Sequence, residues 1–307
     1  MVAALRAPVH IPKPSSPSTV TLQNRRSFLA TIGAAALGCA AGGPGAAAAF
    51  RTGATGSRKL DRVGLQLYTV RSLAAKDLPG TLARVAAIGY RDVEFAGYHG
   101  KTPQEIRSLL DSNGLRAPSA HIPIADVRGN WKKTLDDAKI VGHEYLTVPW
   151  LGDADRGTID GWKRTASIFN RAAFEAKGAG LKFAYHNHDF EFATVGGLVP
   201  FDVLLAETDP TLVSFQMDIY WVVRAGRDPL EYLARFPNRF SMFHAKDSAG
   251  RPRHEMVDVG KGTIDFKAIF AAGMNAGVRH VFVEHDNPGD PIASITASHR
   301  YLSALEF

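Results

Sequence analysis

The sequence predicts an α/β fold: one (β/α)8 barrel preceded by an export signal. Three observations lead there. From Val63 onward short apolar runs alternate with amphipathic helical segments. Eight such pairs fit into about 245 residues, the usual length of one closed barrel. Ahead of them stands a basic stretch that matches none of this periodicity. At 45% hydrophobic and 21% charged residues, the composition is that of a globular protein and excludes disorder or a collagen-like chain.

Residues 1–50 read as a signal, 51–60 as a linker and 61–307 as the barrel. Asn24-Arg25-Arg26-Ser27-Phe28-Leu29-Ala30 precedes the small apolar run Ile32–Ala41, then Gly42-Gly43-Pro44-Gly45 and the tract Ala46–Ala49. A positive head, a short apolar middle and small residues at a cleavage site are the parts of an export signal. The adjacent arginines before Ser-Phe-Leu resemble a twin-arginine signal, which implies the twin-arginine machinery as a partner and a periplasmic or secreted enzyme. The apolar run is too short for a transmembrane helix, and no later stretch is long enough to span. Ala36-Leu37-Gly38-Cys39 is a poor lipoprotein box, so removal of Cys39 with the signal is the expectation and a lipid anchor the alternative. A single cysteine rules out an intramolecular disulfide and a cysteine-based zinc site.

The formal charge of +6 belongs to this segment: residues 1–59 carry seven Lys/Arg and no acid, leaving 29 basic against 30 acidic side chains. That balance argues against nucleic acid as a partner.

In the barrel, the strand candidates are Val63–Tyr68, Tyr90–Phe95, Leu115–His121, Tyr145–Pro149, Leu181–His186, Leu212–Asp218, Arg239–His244 and His280–Glu284. Helical patterns lie at Leu78–Ile88, Pro103–Ser112, Trp131–Val141, Ile159–Lys177, Phe201–Glu207, Pro229–Phe236, Phe266–Ala276 and Ile292–Leu305. Gly89, Gly114, Gly142, Gly180 and Gly277 each stand just before a strand, where helix C-caps belong. A doubly wound open sheet would carry a glycine-rich loop after its first strand, whereas Tyr68 is followed by Thr69-Val70-Arg71-Ser72. Gly196-Gly197 and Asp247–Gly262 read as long loops on the side where barrel active sites form.

The strand ends carry metal-ligand residue types: Glu94, His121, His186-Asn187-His188, Asp218, His244 and Glu284-His285-Asp286. In a parallel barrel these ends converge on one axis. Unscreened, the groups would perturb one another's protonation, and a divalent cation resolves the conflict.

These segments, with Gln216-Met217-Asp218, Phe243-His244-Ala245-Lys246-Asp247 and Val259-Gly260-Lys261-Gly262, resemble the xylose isomerase-like barrel superfamily. That superfamily includes sugar isomerases, ketose 3-epimerases, inosose dehydratases and apurinic-site endonucleases. The resemblance implies metal ligands at the ends of strands 5 to 8: Asp218, His244 and Glu284 match directly. Strand 5 departs from the usual Glu, so His186 takes that place, with Glu191 the alternative. Losing one of two flanking glutamates disfavours symmetric epimerisation. An endonuclease would carry a histidine where Trp221 stands.

Oxygen and imidazole donors suit Mn²⁺, Mg²⁺, Co²⁺ or Zn²⁺. Such an ion polarises a carbonyl and supports enediolate chemistry on a keto-sugar. Glu94, His121 and His188 are candidate acids and bases, with Glu94 or Glu284 as base and His188 as donor. Lys246 either holds a substrate oxygen or pairs with Asp247. Tyr68, Trp150 and Trp221 either stack on the sugar or pack the loops. The expectation is a sugar isomerase or epimerase. The alternatives are a lyase or hydrolase acting on an inosose or 3-keto-glycoside, and a non-catalytic carbohydrate-binding barrel. The substrate is a small sugar, favoured as non-phosphorylated, and an oligomer is compatible with all readings.

Overall fold

The computed structural model describes residues 57–307. The signal, Cys39 and linker residues 51–56 lie outside them. Among the described residues, eight parallel strands close into one barrel: β1 (Gly64–Gln66), β2 (Asp92–Phe95), β3 (Arg116–His121), β4 (Tyr145–Val148), β5 (Lys182–His186), β6 (Val213–Asp218), β7 (Phe240–Ala245) and β8 (His280–Val283). Closure is made by β8 on β1, with Gly64 opposite Phe282 and Leu65 opposite Val283.

The period-2 alternation of each strand sorts its residues into two cores. Val93, Phe95, Leu146, Val148, Phe183, Tyr185, Phe215, Met217, Phe243, Val281 and Val283 are buried in the main core, shared with the helices. The intervening positions fill the barrel. Tyr145, Ala184, Met242 and Phe282 form a separate buried cluster, the barrel floor. Two residues beyond Ala184, Met242 and Phe282 lie His186, His244 and Glu284, with Asp218 in register beside His244, so the floor is the apolar base on which the polar site stands. Gly64 is required there: a Cβ at this position would lie 2.5 Å from the Phe282 ring.

Leu78–Ile88, Pro103–Ser112 and Trp131–Val141 are helices with the predicted bounds, four others differ by one residue at one end, and the last, Pro291–Ala304, is shifted by one residue at both ends. Helix 131–141 ends on Gly142, whose φ of 88° is the left-handed cap anticipated from sequence. The strand ends agree to within two residues, with one instructive shortening. β1 stops at Gln66 because its side-chain Oε1 accepts from Tyr68 N at 3.0 Å, which starts a 3-10 turn over Leu67–Val70. The sequence reading misses short helices after strand ends at Ile124–Gly129, Asp153–Arg156 and Ile219–Arg224. The segment predicted as a loop from Asp247 carries a small antiparallel pair, Asp247–Ser248 with Met256–Val257. Among the described residues no helix is long and apolar enough to cross a membrane.

Candidate active site

A cavity of about 680 Å³ opens at the C-terminal ends of the strands, lined by Tyr68, His121, Trp150, His186, His188, Trp221, Lys246, Glu284 and Asp286 among others. Eight of these nine were singled out from sequence for the site. Tyr68 and Trp150 are 43% and 49% exposed and form its rim.

Two overlapping donor groups lie at its base. Asp218, His244 and Glu284 bring one ligand atom each within 4.8 Å of one another, and His121, His186 and His244 do the same. The predicted set of His186, Asp218, His244 and Glu284 is therefore brought together in part: His244 belongs to both groups and His186 falls in the second. His186 Nε2 nonetheless lies 3.7 Å from Asp218 Oδ2. Glu191, the alternative to His186, is in neither group. Fully buried, it accepts from Tyr185 Oη at 2.5 Å and from His188 N at 2.9 Å, so it fixes the strand-5 loop from behind. Burial pushes its carboxyl up to about 8.

Asp218 is aimed by its own backbone surroundings. Asn187 Oδ1 accepts from Asp218 N at 3.0 Å, and Asn187 Nδ2 donates to Asp218 O at 3.3 Å. Asp218 Oδ1 caps the next helix by accepting from Trp221 N at 3.1 Å. Oδ2 is buried, makes no hydrogen bond and faces the Lys246 ammonium at 3.2 Å. A buried carboxylate oxygen needs a cation beside it. The donor set of carboxylate, imidazole and carboxylate around that oxygen fits a divalent metal ion.

A hydrogen-bonded platform missed by the sequence reading sets the imidazoles. Gln216 Oε1 accepts from His121 Nε2 at 2.8 Å and from His186 Nδ1 at 3.0 Å. Its Nε2 donates to Glu94 Oε1 at 2.8 Å, an orientation of the amide that satisfies all three neighbours. With Nδ1 of His186 carrying the proton, Nε2 presents its lone pair toward Asp218. Gln216 precedes Asp218 by two positions on one strand, so their shared inward face was the available signal.

Glu94 is corrected from candidate base to buried anchor. It is fully buried, receives Gln66 Nε2 at 2.8 Å and Gln216 Nε2 at 2.8 Å, and lies 2.5 Å from His244 Nε2. Burial would raise its pKa, but the charges of His121 and His244 outweigh that and hold it near about 2. His244 bonds Glu284 Oε2 through Nδ1 at 2.8 Å. Burial opposes its charge, but Glu94 and Glu284 raise it to about 10 while no ion is bound, so an ion taking Nδ1 would displace that proton. Glu284 lies well below the ordinary carboxylate range despite burial, because Lys246 and His244 stabilise its charge. Asp218 is pushed up to about 6 by burial, against the pull of Lys246 and His244.

Lys246 does not pair with Asp247, as one sequence reading had it. Its Nζ lies 2.8 Å from Glu284 Oε2, 3.2 Å from Asp218 Oδ2 and 2.7 Å from Asp286 Oδ1. The Asp247 carboxylate is turned the other way, accepting from Ser248 N, Gly260 N, Gly262 N and Ile264 N. Adjacent side chains of an extended chain point to opposite faces, which separates the two.

His188 sits among rings, with Trp150 at 5.0 Å, Phe190 at 5.7 Å and Trp221 at 5.5 Å between centroids. Its Nδ1 and Trp221 Nε1 are buried without hydrogen-bond partners. Burial and then the nearby Lys246 charge lower His188 to about 3, so it is a neutral imidazole at neutral pH. A neutral imidazole offers one lone pair and one N–H, so it can accept a proton as well as fill the donor role expected from sequence.

Residues 82–305 match the profile of the xylose isomerase-like TIM barrel family, and the chain belongs to that family. It is 31% identical over 244 residues to an inosose dehydratase of Clostridium perfringens, covering 73% of this chain and 79% of that protein. It is 25% identical over 233 residues to an inosose dehydratase of Geobacillus kaustophilus, covering 64% and 73%. A sugar phosphate isomerase/epimerase from Parabacteroides distasonis superposes with a TM-score of 0.70 at 28% identity, covering 82% of this chain and 96% of that one. Family membership and the buried metal-competent cluster make this chain an enzyme.

Proposed function

We propose that the enzyme dehydrates a cyclic polyhydroxy ketone by metal-assisted β-elimination. The observation that carries this reading is the asymmetry of the site. Asp218, His244 and Glu284 form the ion-competent group, while the flank lacking the second glutamate holds the neutral His188. Of the two glutamates considered as bases only Glu284 reaches the lining, since Glu94 is sealed beneath it, and the other lining carboxylate, Asp286, is paired with Lys246. Symmetric proton exchange across one carbon, as in epimerisation, needs two comparable acid–base groups on opposite faces. The similarity to inosose dehydratases supports the same choice.

In this reading Asp218, His244 and Glu284 hold the ion, with His186 Nε2 beside Asp218. A divalent ion such as Mn²⁺, Mg²⁺, Co²⁺ or Zn²⁺ bound there supplies polarisation of the ketone. His188 removes the proton next to the carbonyl, and the C–H electron pair becomes an enolate. Collapse of the enolate expels the hydroxyl one carbon further on, and the imidazolium returns its proton to the departing oxygen. One C–H and one C–O bond break, a carbon–carbon double bond forms, and one water leaves. His121 and Lys246 bind substrate oxygens. Tyr68, Trp150 and Trp221 wall the ring.

The test is incubation of the metal-loaded enzyme with inososes and open-chain ketoses, read by mass spectrometry and NMR in D₂O. Dehydration gives a product lighter by one water, and His188→Ala loses product formation and solvent exchange of the α-proton together. A product isomeric with the substrate would overturn the reading in favour of isomerisation.

We propose also that residues 1–50 direct export of the folded chain to the periplasm or beyond through the twin-arginine machinery. The segment Arg25-Arg26-Ser27-Phe28-Leu29 before a short apolar run supports it. A reporter fused to residues 1–50 is exported, and replacing Arg25 and Arg26 by Lys retains it inside the cell. Unchanged export of that pair would refute the assignment.

A further inference from the structure

Lys246 occupies an unusual place. Its side chain is 2% exposed, and its ammonium touches carboxylate oxygens from three residues. Two of them, Asp218 Oδ2 and Glu284 Oε2, belong to the group that would hold a divalent ion. The third, Asp286 Oδ1, belongs to neither donor group and lies on the cavity wall with a side chain 26% exposed. Buried carboxylates without a counter-charge repel one another at a cost that low local dielectric magnifies. An ammonium and a divalent cation cannot share the same two oxygens without repulsion of their own. Lys246 is thus a competitor for the ion's ligands, and Asp286 is the partner already within 2.7 Å to which its charge can be transferred.

We infer that Lys246 is a built-in counter-cation that neutralises Asp218 and Glu284 when no ion is bound, and that Asp286 is the positioning residue that draws its ammonium aside when one is. The role of Asp286 runs through Lys246 and not through the ion. This inference rests on Asp218, His244 and Glu284 as metal ligands and is independent of which reaction follows.

The test measures Mn²⁺ and Zn²⁺ affinity by titration calorimetry, without substrate, alongside thermal unfolding with and without the ion. Lys246→Met binds the ion about tenfold tighter or more, since a repelling charge a few ångströms away is gone. Its metal-free form melts lower, and the metal-induced rise in Tm is larger than in wild type. Asp286→Asn binds about tenfold more weakly. The decisive arm is the double variant: Asp286→Asn has no further effect once Lys246 is Met, because the residue acts through that lysine. Additive effects would mean that Asp286 contributes only bulk charge, and would overturn its role. Weaker binding by Lys246→Met would overturn the role of the lysine. Lys246→Gln provides the same comparison if the Met variant does not fold. Wild-type protein that binds neither ion refutes the ligand assignment itself, whereas normal binding with unresponsive variants refutes only the counter-cation.

Discussion

His143, a member of neither donor group, ties the stability of the barrel to pH. It is 4% exposed. Its Nδ1 lies 2.6 Å from the carbonyl of Ala117 and must donate to it. Its Nε2 is then the acceptor for Tyr98 Oη at 2.8 Å. Both ring nitrogens are satisfied only in the neutral form, and burial lowers the group to about 4. The unfolded chain takes up this proton near the ordinary histidine value of about 6.5. Between the two values the unfolded state binds more protons than the folded one, so stability present above the upper value is lost as pH falls toward the lower. The full difference is about 3 kcal/mol, of which about 2 kcal/mol is lost between pH 7 and pH 5. Urea unfolding of the full chain at both pH values checks this against His143→Asn, whose amide keeps the bond to Ala117 and does not titrate. The variant is weaker at pH 7, where the bond to Tyr98 is missing, and its deficit shrinks by about 2 kcal/mol at pH 5. Other buried histidines titrate in both proteins and cancel in the difference. Parallel pH profiles would show that His143 is not held neutral by these contacts.

Two further outcomes follow from the site and its floor. Asp218→Ala removes Oδ2 together with the helix cap: elemental analysis finds the metal lost while far-UV circular dichroism is unchanged, and a full metal complement would refute the ligand assignment. Gly64→Ala sets a methyl group 2.5 Å from the Phe282 ring and destabilises the protein by about 1–3 kcal/mol in urea unfolding, part of which Phe282→Leu restores in the same background.

Barrel and strand ends were legible in the sequence because both depend on periodicity. Apolar runs of strand length and helical stripes recur eight times, glycines stand before five of the strands, and the site residues stand where the runs end. Depth within the barrel was not legible in the same way. Glu94 and Glu284 both look like strand-end carboxylates, yet Glu94 pairs in register with Gln66 and Ser119 and is sealed below the cavity, whereas Glu284 lines it. Strand stagger decides that, and stagger is a property of pairing across strands. The partner of Lys246 is lost for the same reason: Asp218, Glu284 and Asp286 come from other segments, while the neighbour in sequence faces away. Gln66, Gln216 and Asn187 carry no charge to attract notice, though each fixes a charged group in place.

The substitution on strand 5 and the environment of Lys246 bear on one another. A glutamate in place of His186 would add a fourth carboxylate beside Asp218, Glu284 and Asp286, around a single ammonium. A neutral imidazole, its Nδ1 proton held by Gln216 and its pKa driven well below the ordinary histidine value by burial, adds a lone pair without adding charge. The site then has one negative charge fewer for Lys246 to offset and keeps a nitrogen donor toward Asp218. The same exchange removes a carboxylate base from one side of the cavity and, in the proposed reaction, leaves proton transfer to the ring-enclosed His188. A choice that reads in sequence as the loss of one acid–base group thus sets both the charge at the donor cluster and the one-sidedness on which the proposed elimination depends.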